Sequence, residues 1–238
     1  MRMGCPRARS RSSRRIAAFL AVALAAACGG EAEPDAAQQA IDPLYAPDRL
    51  HTEAPDSFHV VMATSEGELE FAVKRAWAPR GVDRFYTLVT NGFYDDTRIF
   101  RVVEGRIAQF GLNGDGRVNS AWWQEYLIDD EPVLSNERGT LAFAKGGVND
   151  RTMQVFVNLS DNSASLDPQG FAPIARAVRG MEVADAFYSG YGDGPPQGDG
   201  PYQMQALRDG NPYLDENFPE LTRIDSIRVI DVDQGGTG

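Results

Sequence analysis

From Phe58 onward, apolar and polar residues alternate along the chain. Phe58, Val60 and Met62 share one face of an extended segment, and Leu69, Phe71 and Val73 share a face of the next. Ser65-Glu66-Gly67 supplies a turn between them, so the pattern predicts an antiparallel hairpin. The period then changes. Val82, Phe85, Leu88 and Val89 fall on one side at helical spacing, and Asn91-Gly92 offers a left-handed stop. Strand patterns return at 99–103, 107–111, 140–144, 154–158, 173–178 and 223–232. A second helix is predicted over 180–189, with Met181, Ala184, Phe187 and Tyr188 on its apolar side. Eight short strands and two helices, without regular alternation, predict an antiparallel barrel or sandwich closed by helices.

The residues before Phe58 follow a different pattern. Six arginines and no acid lie within residues 2–15, and Ile16 to Ala27 form an apolar run of 12 residues. A basic head, a short apolar run and small residues at its end predict a signal peptide over 1–27. The run is shorter than the roughly 20 residues a spanning helix needs. Cys28 follows Ala25-Ala26-Ala27 directly and precedes Gly29-Gly30, which resembles a bacterial lipobox, although Ala25 stands where that motif prefers Leu. The reading is therefore an exported lipoprotein with its lipid on Cys28, anchored to a bacterial membrane and facing the periplasm. Gly29 in place of Asp after the cysteine favours the outer membrane. The alternative is an ordinary signal cleavage that leaves Cys28 as a spare thiol. Residues 28–57 are polar, acidic and poor in large apolar groups, as expected of a flexible tether.

Charge and cysteine content narrow the chemistry. The chain has 23 basic and 34 acidic residues, and removing the six leader arginines leaves 17 against 34. That excess of negative charge argues against nucleic acid as a partner. Cys5 lies in the leader, so Cys28 alone would remain, and neither a disulfide nor a cysteine metal site can form. The two histidines are His51, in the tether, and His59, in the first strand, which disfavours a histidine metal centre or a Ser-His-Asp triad. Phosphate-loop and dinucleotide fingerprints are also missing. The expectation is an activity without metal or cofactor.

Candidate chemistry is concentrated in three segments. Arg101 and Gln109 interrupt otherwise apolar strands, where each is costly unless paired. The second segment runs from Gly139 through Ala144-Lys145-Gly146 to Gln154-Val155-Phe156, and the third is Leu166-Asp167-Pro168-Gln169-Gly170-Phe171. Together they read as an apolar patch with one fixed cation and two amides. Arg101 fits a binding site or an edge-strand salt bridge, and the residues by themselves do not choose. Residues 191–219, rich in Gly, Pro and Asp, read as a surface loop with a short helix near 203–208. Their aspartates invite a Ca²⁺ reading, but they lack the spacing of a calcium loop.

The string Gly92-Phe93-Tyr94-Asp95-Asp96-Thr97-Arg98-Ile99-Phe100-Arg101-Val102-Val103 resembles the arginine-bearing strand of the cyclophilins. Gln109-Phe110-Gly111, Gly139 to Ala144, Gln154 to Leu159, Phe171-Ala172-Pro173 and Gly180 to Asp185 resemble further segments in the family's order. The resemblance implies a mainly β fold, an eight-stranded antiparallel closed β-barrel capped by two α-helices. It also places an isomerase domain over 58–233, with 191–219 as an insertion and 234–238 as a tail. The implied activity is peptidyl-prolyl cis-trans isomerisation, by a monomer, acting on proline-containing polypeptides during the folding of exported proteins. Arg101 matches the catalytic arginine and Gln109 the glutamine that holds the substrate backbone. Ile107, Phe156 and Leu166 match the proline-pocket walls, Phe171 a position beyond them, and Ala144, Lys145, Gly146 and Gln154 the adjoining groove. Arg106 departs from the pattern, since the family has Phe at that wall. The competing reading is a non-catalytic peptide-binding or chaperone lipoprotein that uses the same groove.

Overall fold

A computed structural model of the chain describes residues 42–232. The leader over 1–27, Cys28, the first part of the tether and the tail over 234–238 lie outside the described residues. Among the described residues, no helix is long and apolar enough to cross a membrane.

Strands β1 (Ser57–Thr64) and β2 (Gly67–Lys74) form the expected hairpin, paired from Ser57 opposite Lys74 to Thr64 opposite Gly67. Gly67 has φ 130°, a conformation that disfavours any side chain. Phe58, Val60, Met62, Leu69, Phe71 and Val73 are all buried, as the alternation requires. Helix α1 (Pro79–Thr90) buries Val82, Phe85, Leu88 and Val89. It ends in a Schellman turn, in which the Phe93 N–H reaches the Leu88 carbonyl, the Gly92 N–H reaches Val89, and Gly92 has φ 68°.

The remaining strands are β3 (Thr97–Arg98), β4 (Arg101–Val103), β5 (Ile107–Phe110), β6 (Thr140–Phe143), β7 (Val155–Asn158), β8 (Pro173–Arg179) and β9 (Arg223–Val232). All nine form one antiparallel sheet in the order β3-β9-β1-β2-β8-β6-β7-β5-β4. The expected eight-stranded closed barrel is thus corrected to a curled sheet of nine strands with two ends. The strand expected over 99–103 shortens to Arg101–Val103, and the ninth strand is the unexpected pair Thr97–Arg98 just before it. Ile99 and Phe100 leave the ladder and bury their side chains, while β3 pairs with β9 and β4 with β5. Three Cα steps link Arg98 to Arg101, so the two edges lie within about 11 Å of each other.

Four further helices accompany α1 and the shortened second helix. They are α2 (Gly116–Trp122), α3 (Ser163–Leu166), α5 (Gln203–Asp209) and α6 (Asn211–Asn217), with α4 (Met181–Asp185) covering only part of the span expected over 180–189. The insertion is therefore more than a surface loop. Ala206, Leu207 and Leu214 are buried, and the Arg208 carbonyl approaches Gly116 so closely that a Cβ there would lie 1.8 Å away. The expected tether is also shorter at its C-terminal end. Pro43–Tyr45 and Pro47–Arg49 form 3-10 turns, Leu44 is buried, and its carbonyl accepts the Trp122 indole N–H at 3.0 Å. A few well-placed apolar groups and one buried indole donor suffice to dock a segment whose average composition is polar.

Candidate active site

The register of four neighbouring strands divides the core from the site. Val102, Ala108, Val157 and Leu141 oppose one another across β4, β5, β7 and β6, and all belong to the main core. One position away along each strand, Arg101, Gln109, Phe156 and Ala142 form a second row. Alternation sends this row to the opposite face of the sheet. That face carries a separate apolar cluster of Ile107, Ala142, Phe156 and Leu166, with Val103, Ala144 and Phe171 packed against it. Both faces of β5, β6 and β7 are thus covered, which is why every residue in them is buried and their sequences do not alternate.

The polar members of the outer row are linked edge to edge. The Arg101 Nη1 donates to Gln109 Oε1 at 2.9 Å, and Gln109 Nε2 donates to Gln154 Oε1 at 2.7 Å. Gln203, at the start of α5, adds a donor to the same Gln154 oxygen at 3.3 Å. Gln109 and Gln154 are buried, so this chain satisfies amides that would otherwise be costly on a sheet. On its other edge, Arg101 is gripped by Asp193 of the insertion, through Nε to Oδ1 at 2.6 Å and Nη2 to Oδ2 at 2.7 Å. The hydrogen bonds from Arg101 hold the Asp193 carboxyl below its usual range, against the cost of burial. Arg101 thus forms an edge-strand salt bridge and also lines a pocket.

That pocket, of about 210 Å³, is lined by Arg101, Arg106, Ile107, Gln109, Ala144, Lys145, Phe156, Leu166, Gln169 and Phe171. Phe156 and Phe171 meet edge to face with centroids 5.8 Å apart. The Lys145 ammonium sits 5.4 Å from the Phe171 ring centre and 2.8 Å from Asp129 Oδ2, its side chain only 6% exposed. Arg106, by contrast, is exposed at the mouth, on the tight turn joining β4 to β5. An adjoining groove of about 650 Å³ takes in Gln109, Ala144, Lys145, Gly146 and Gln154, together with Trp123, Tyr126 and Gln203. Every candidate site residue within the described region therefore borders one of two hollows, which share Gln109, Ala144 and Lys145. Cys28 lies outside the described residues.

Sequence reasoning missed two supports of this site. Asn136 donates to the Phe171 carbonyl at 2.9 Å, and Asn162 donates to the Arg106 carbonyl at 2.9 Å. Asn158 connects them, donating to Asn136 Oδ1 at 3.2 Å and accepting from Asn162 at 2.8 Å. This buried network ties the Arg106 turn to the loop that carries Leu166 and Phe171. Asn158 inside an apolar strand was its available signal. The other omission is Asp193, whose Gly-Asp-Gly-Pro setting signals a turn and gives no hint of a partner 92 residues away. Among the described residues, no group of three or more His, Cys, Asp or Glu side chains is placed to hold a metal ion.

A sequence model described as "Cyclophilin type peptidyl-prolyl cis-trans isomerase/CLD" matches residues 59–205, from the first strand into α5. The chain belongs to this family. Among curated relatives, peptidyl-prolyl cis-trans isomerase A of Dickeya dadantii is 35% identical over 136 residues, covering 56% of this chain and 72% of the relative. Peptidyl-prolyl cis-trans isomerase B of Escherichia coli is 31% identical over 133 residues, covering 53% and 81%. A crystal structure of a Cryptosporidium parvum cyclophilin-type isomerase superposes with a TM-score of 0.54 at 19% identity, over 74% of this chain and 98% of that one. The same Cryptosporidium protein has been solved in the presence of the dipeptide Ala-Pro, and that structure aligns with a TM-score of 0.52. At this identity the structural likeness supports the cyclophilin fold, and the family assignment rests on the sequence.

Proposed function

We propose that this cyclophilin-type chain accelerates rotation about X–Pro bonds of polypeptides seated on the outer face of β4, β5, β6 and β7. The observation that carries the proposal is the state of the Arg101 guanidinium at the edge of the 210 Å³ pocket. Asp193 and Gln109 engage three of its N–H groups, which leaves one donor on Nη1 and one on Nη2. Amide resonance opposes rotation with a barrier of roughly 18–20 kcal/mol. Twisting the bond localises the lone pair on the prolyl nitrogen and makes it an acceptor. A guanidinium remains charged at any relevant pH and donates to that nitrogen more strongly in the twisted state than in the planar one. Only such differential stabilisation lowers the barrier. Ile107, Phe156, Leu166 and Phe171 hold the proline ring, Gln109 fixes a neighbouring carbonyl, and Arg106 borders the entrance. Ala144, Lys145, Gly146 and Gln154 receive the residues that precede the proline. The Ala-Pro dipeptide present with the Cryptosporidium relative supports a proline-containing peptide as the occupant.

The reading extends to an exported monomer held on a bacterial membrane through lipid on Cys28, where it assists folding in the periplasm with no metal or cofactor. The leader pattern over 1–28 supports this. Fatty-acid labelling of the native chain and of Cys28→Ser tests it, and label retained by the variant overturns the anchor. For the activity, the full-length chain is mixed with a chromogenic Ala-Pro tetrapeptide in a protease-coupled assay. Catalysis raises the observed cis-to-trans rate in proportion to protein concentration. Peptide binding without any acceleration would instead support the non-catalytic peptide-binding reading, which the Arg106 departure at the pocket wall favours.

A further inference from the structure

The insertion places a carboxylate on Arg101, one of the two arginines that line the pocket. Residues 191–200 make this a constructed contact. The Asp193 carbonyl accepts the Gly200 N–H at 2.9 Å, Asp193 Oδ1 accepts the Gly194 N–H at 2.7 Å, and the Tyr191 carbonyl accepts the Asp199 N–H at 3.2 Å. A Cβ at Gly198 would lie 2.4 Å from the Asp193 carbonyl oxygen, and one at Gly200 2.9 Å, so the strap closes only around glycines. Its base is fixed by the Tyr191 ring, which meets Tyr188 at 5.0 Å and Phe218 at 5.1 Å.

The position of the guanidinium adds a second, independent observation. Arg101 lines both the 210 Å³ pocket and a second hollow of about 350 Å³, whereas Asp193 lines only the second. The carboxylate therefore holds the guanidinium on the side of the second hollow and is not part of the wall of the 210 Å³ pocket.

We propose that Asp193 is a positioning residue, which holds Arg101 so that its free Nη1 and Nη2 donors point into the proline pocket. An arginine has several rotatable bonds, and without the strap Gln109 is its one remaining side-chain partner. A guanidinium held in place before the substrate arrives loses little freedom on reaching the twisted bond, and that advantage appears in the transition state. An ordinary exposed ion pair would contribute little to stability and nothing to turnover.

The inference rests on the isomerase reading above, and the test separates the two. Asp193→Asn, Asp193→Glu and Gly198→Ala are made in the full-length chain, and kcat and KM on the Ala-Pro tetrapeptide are measured beside a thermal melt. Gly198→Ala leaves Asp193 intact but forces its backbone aside, so it reports on placement without changing the carboxylate. The expected result is a fall in kcat of about tenfold for Asp193→Asn and Gly198→Ala, with KM within about twofold of the native value. Asp193→Glu recovers most of the loss, and all three melt close to the native chain. The inference is overturned if Asp193→Asn keeps native kcat, if it turns over faster, which would make the carboxylate a restraint on the arginine, or if losses follow the melting temperature. A native chain without any acceleration refutes the isomerase reading, and this inference falls with it. An active native chain that is indifferent to Asp193 refutes the inference alone.

Discussion

Two regions meet at Arg101, and they are held by different means. On one side lies the row Arg101, Gln109, Phe156 and Ala142, fixed by the hydrogen-bond registers of four strands. On the other lies the strap over 191–200, fixed by turn hydrogen bonds, close approaches at Gly198 and Gly200, and one ion pair. In the row, Phe156 both lines the pocket and packs between the sheet and the segment that carries Leu166 and Phe171, so chemistry and stability are entangled there. In the strap, one side chain reaches the site and the rest is scaffold. Substitutions in the two regions should therefore separate stability from activity to different degrees.

The largest effect expected is that of Phe156→Ala. Phe156 is 3% exposed and packs on Phe171 and Leu166, so its truncation opens a cavity and should cost about 3–5 kcal/mol of stability, read by chemical denaturation. Activity should fall with it, because the same atoms form the pocket wall. A fully stable but inactive Phe156→Ala would show that pocket and packing are separable after all. Next is Arg101→Ala. Removing a charged donor aimed at the developing acceptor should lower kcat by about a hundredfold to a thousandfold. Arg101 is 27% exposed and outside the core, so the melt should change little. Retention of native kcat by a folded Arg101→Ala protein would remove the basis of the proposed mechanism.

Gln109→Ala should have an intermediate effect on both quantities. It deletes one hydrogen bond to Arg101 and another to Gln154, whose buried oxygen then keeps only the longer contact from Gln203. A drop of about tenfold in kcat/KM, shared between kcat and KM, is expected from lost alignment of Arg101 and a lost substrate contact. If kcat alone fell, Gln109 would be positioning Arg101 without holding substrate.

The same contrast explains what could be read in the sequence. The hairpin over 57–74 and α1 were legible because each buries one face, so Phe58, Val60 and Met62, or Val82, Phe85 and Leu88, advertise the period. The site row was legible in part, since Arg101 and Gln109 stand out within apolar strands, and the cyclophilin resemblance supplied the roles proposed for them. That Ile99 and Phe100 lie outside β4 was hidden, because two buried apolar residues just before a strand look like its first residues. Helices α2, α3 and α6, each seven residues or fewer, are too short to show a helical period. The Arg101–Asp193 pair spans 92 residues and depends on how the strap folds, which no local pattern encodes. Docking of residues 43–49 likewise depends on a Trp122 indole that only the tertiary fold presents.

Arg106 belongs to neither region and provides the finest test of the comparison. It sits at the pocket mouth on the turn between β4 and β5, exposed, and near enough for its charge to help keep Asp193 ionised. An exposed cation of this kind interacts with a passing charge by only about 0.2–1 kcal/mol, a factor of five or so at most. Arg106→Phe, which restores the aromatic wall that the resemblance implies, should therefore alter kcat/KM on a neutral Ala-Pro peptide by less than about threefold. A modest preference for Glu over Lys beside the proline should disappear in the variant, and should fade in the native chain at 1 M salt, where the screening length is about 3 Å. A gain of tenfold or more on the neutral peptide would mean that the guanidinium obstructs the pocket. The cation that limits turnover would then be Arg106 at the entrance, and the orientation of Arg101 by the strap would be a secondary concern.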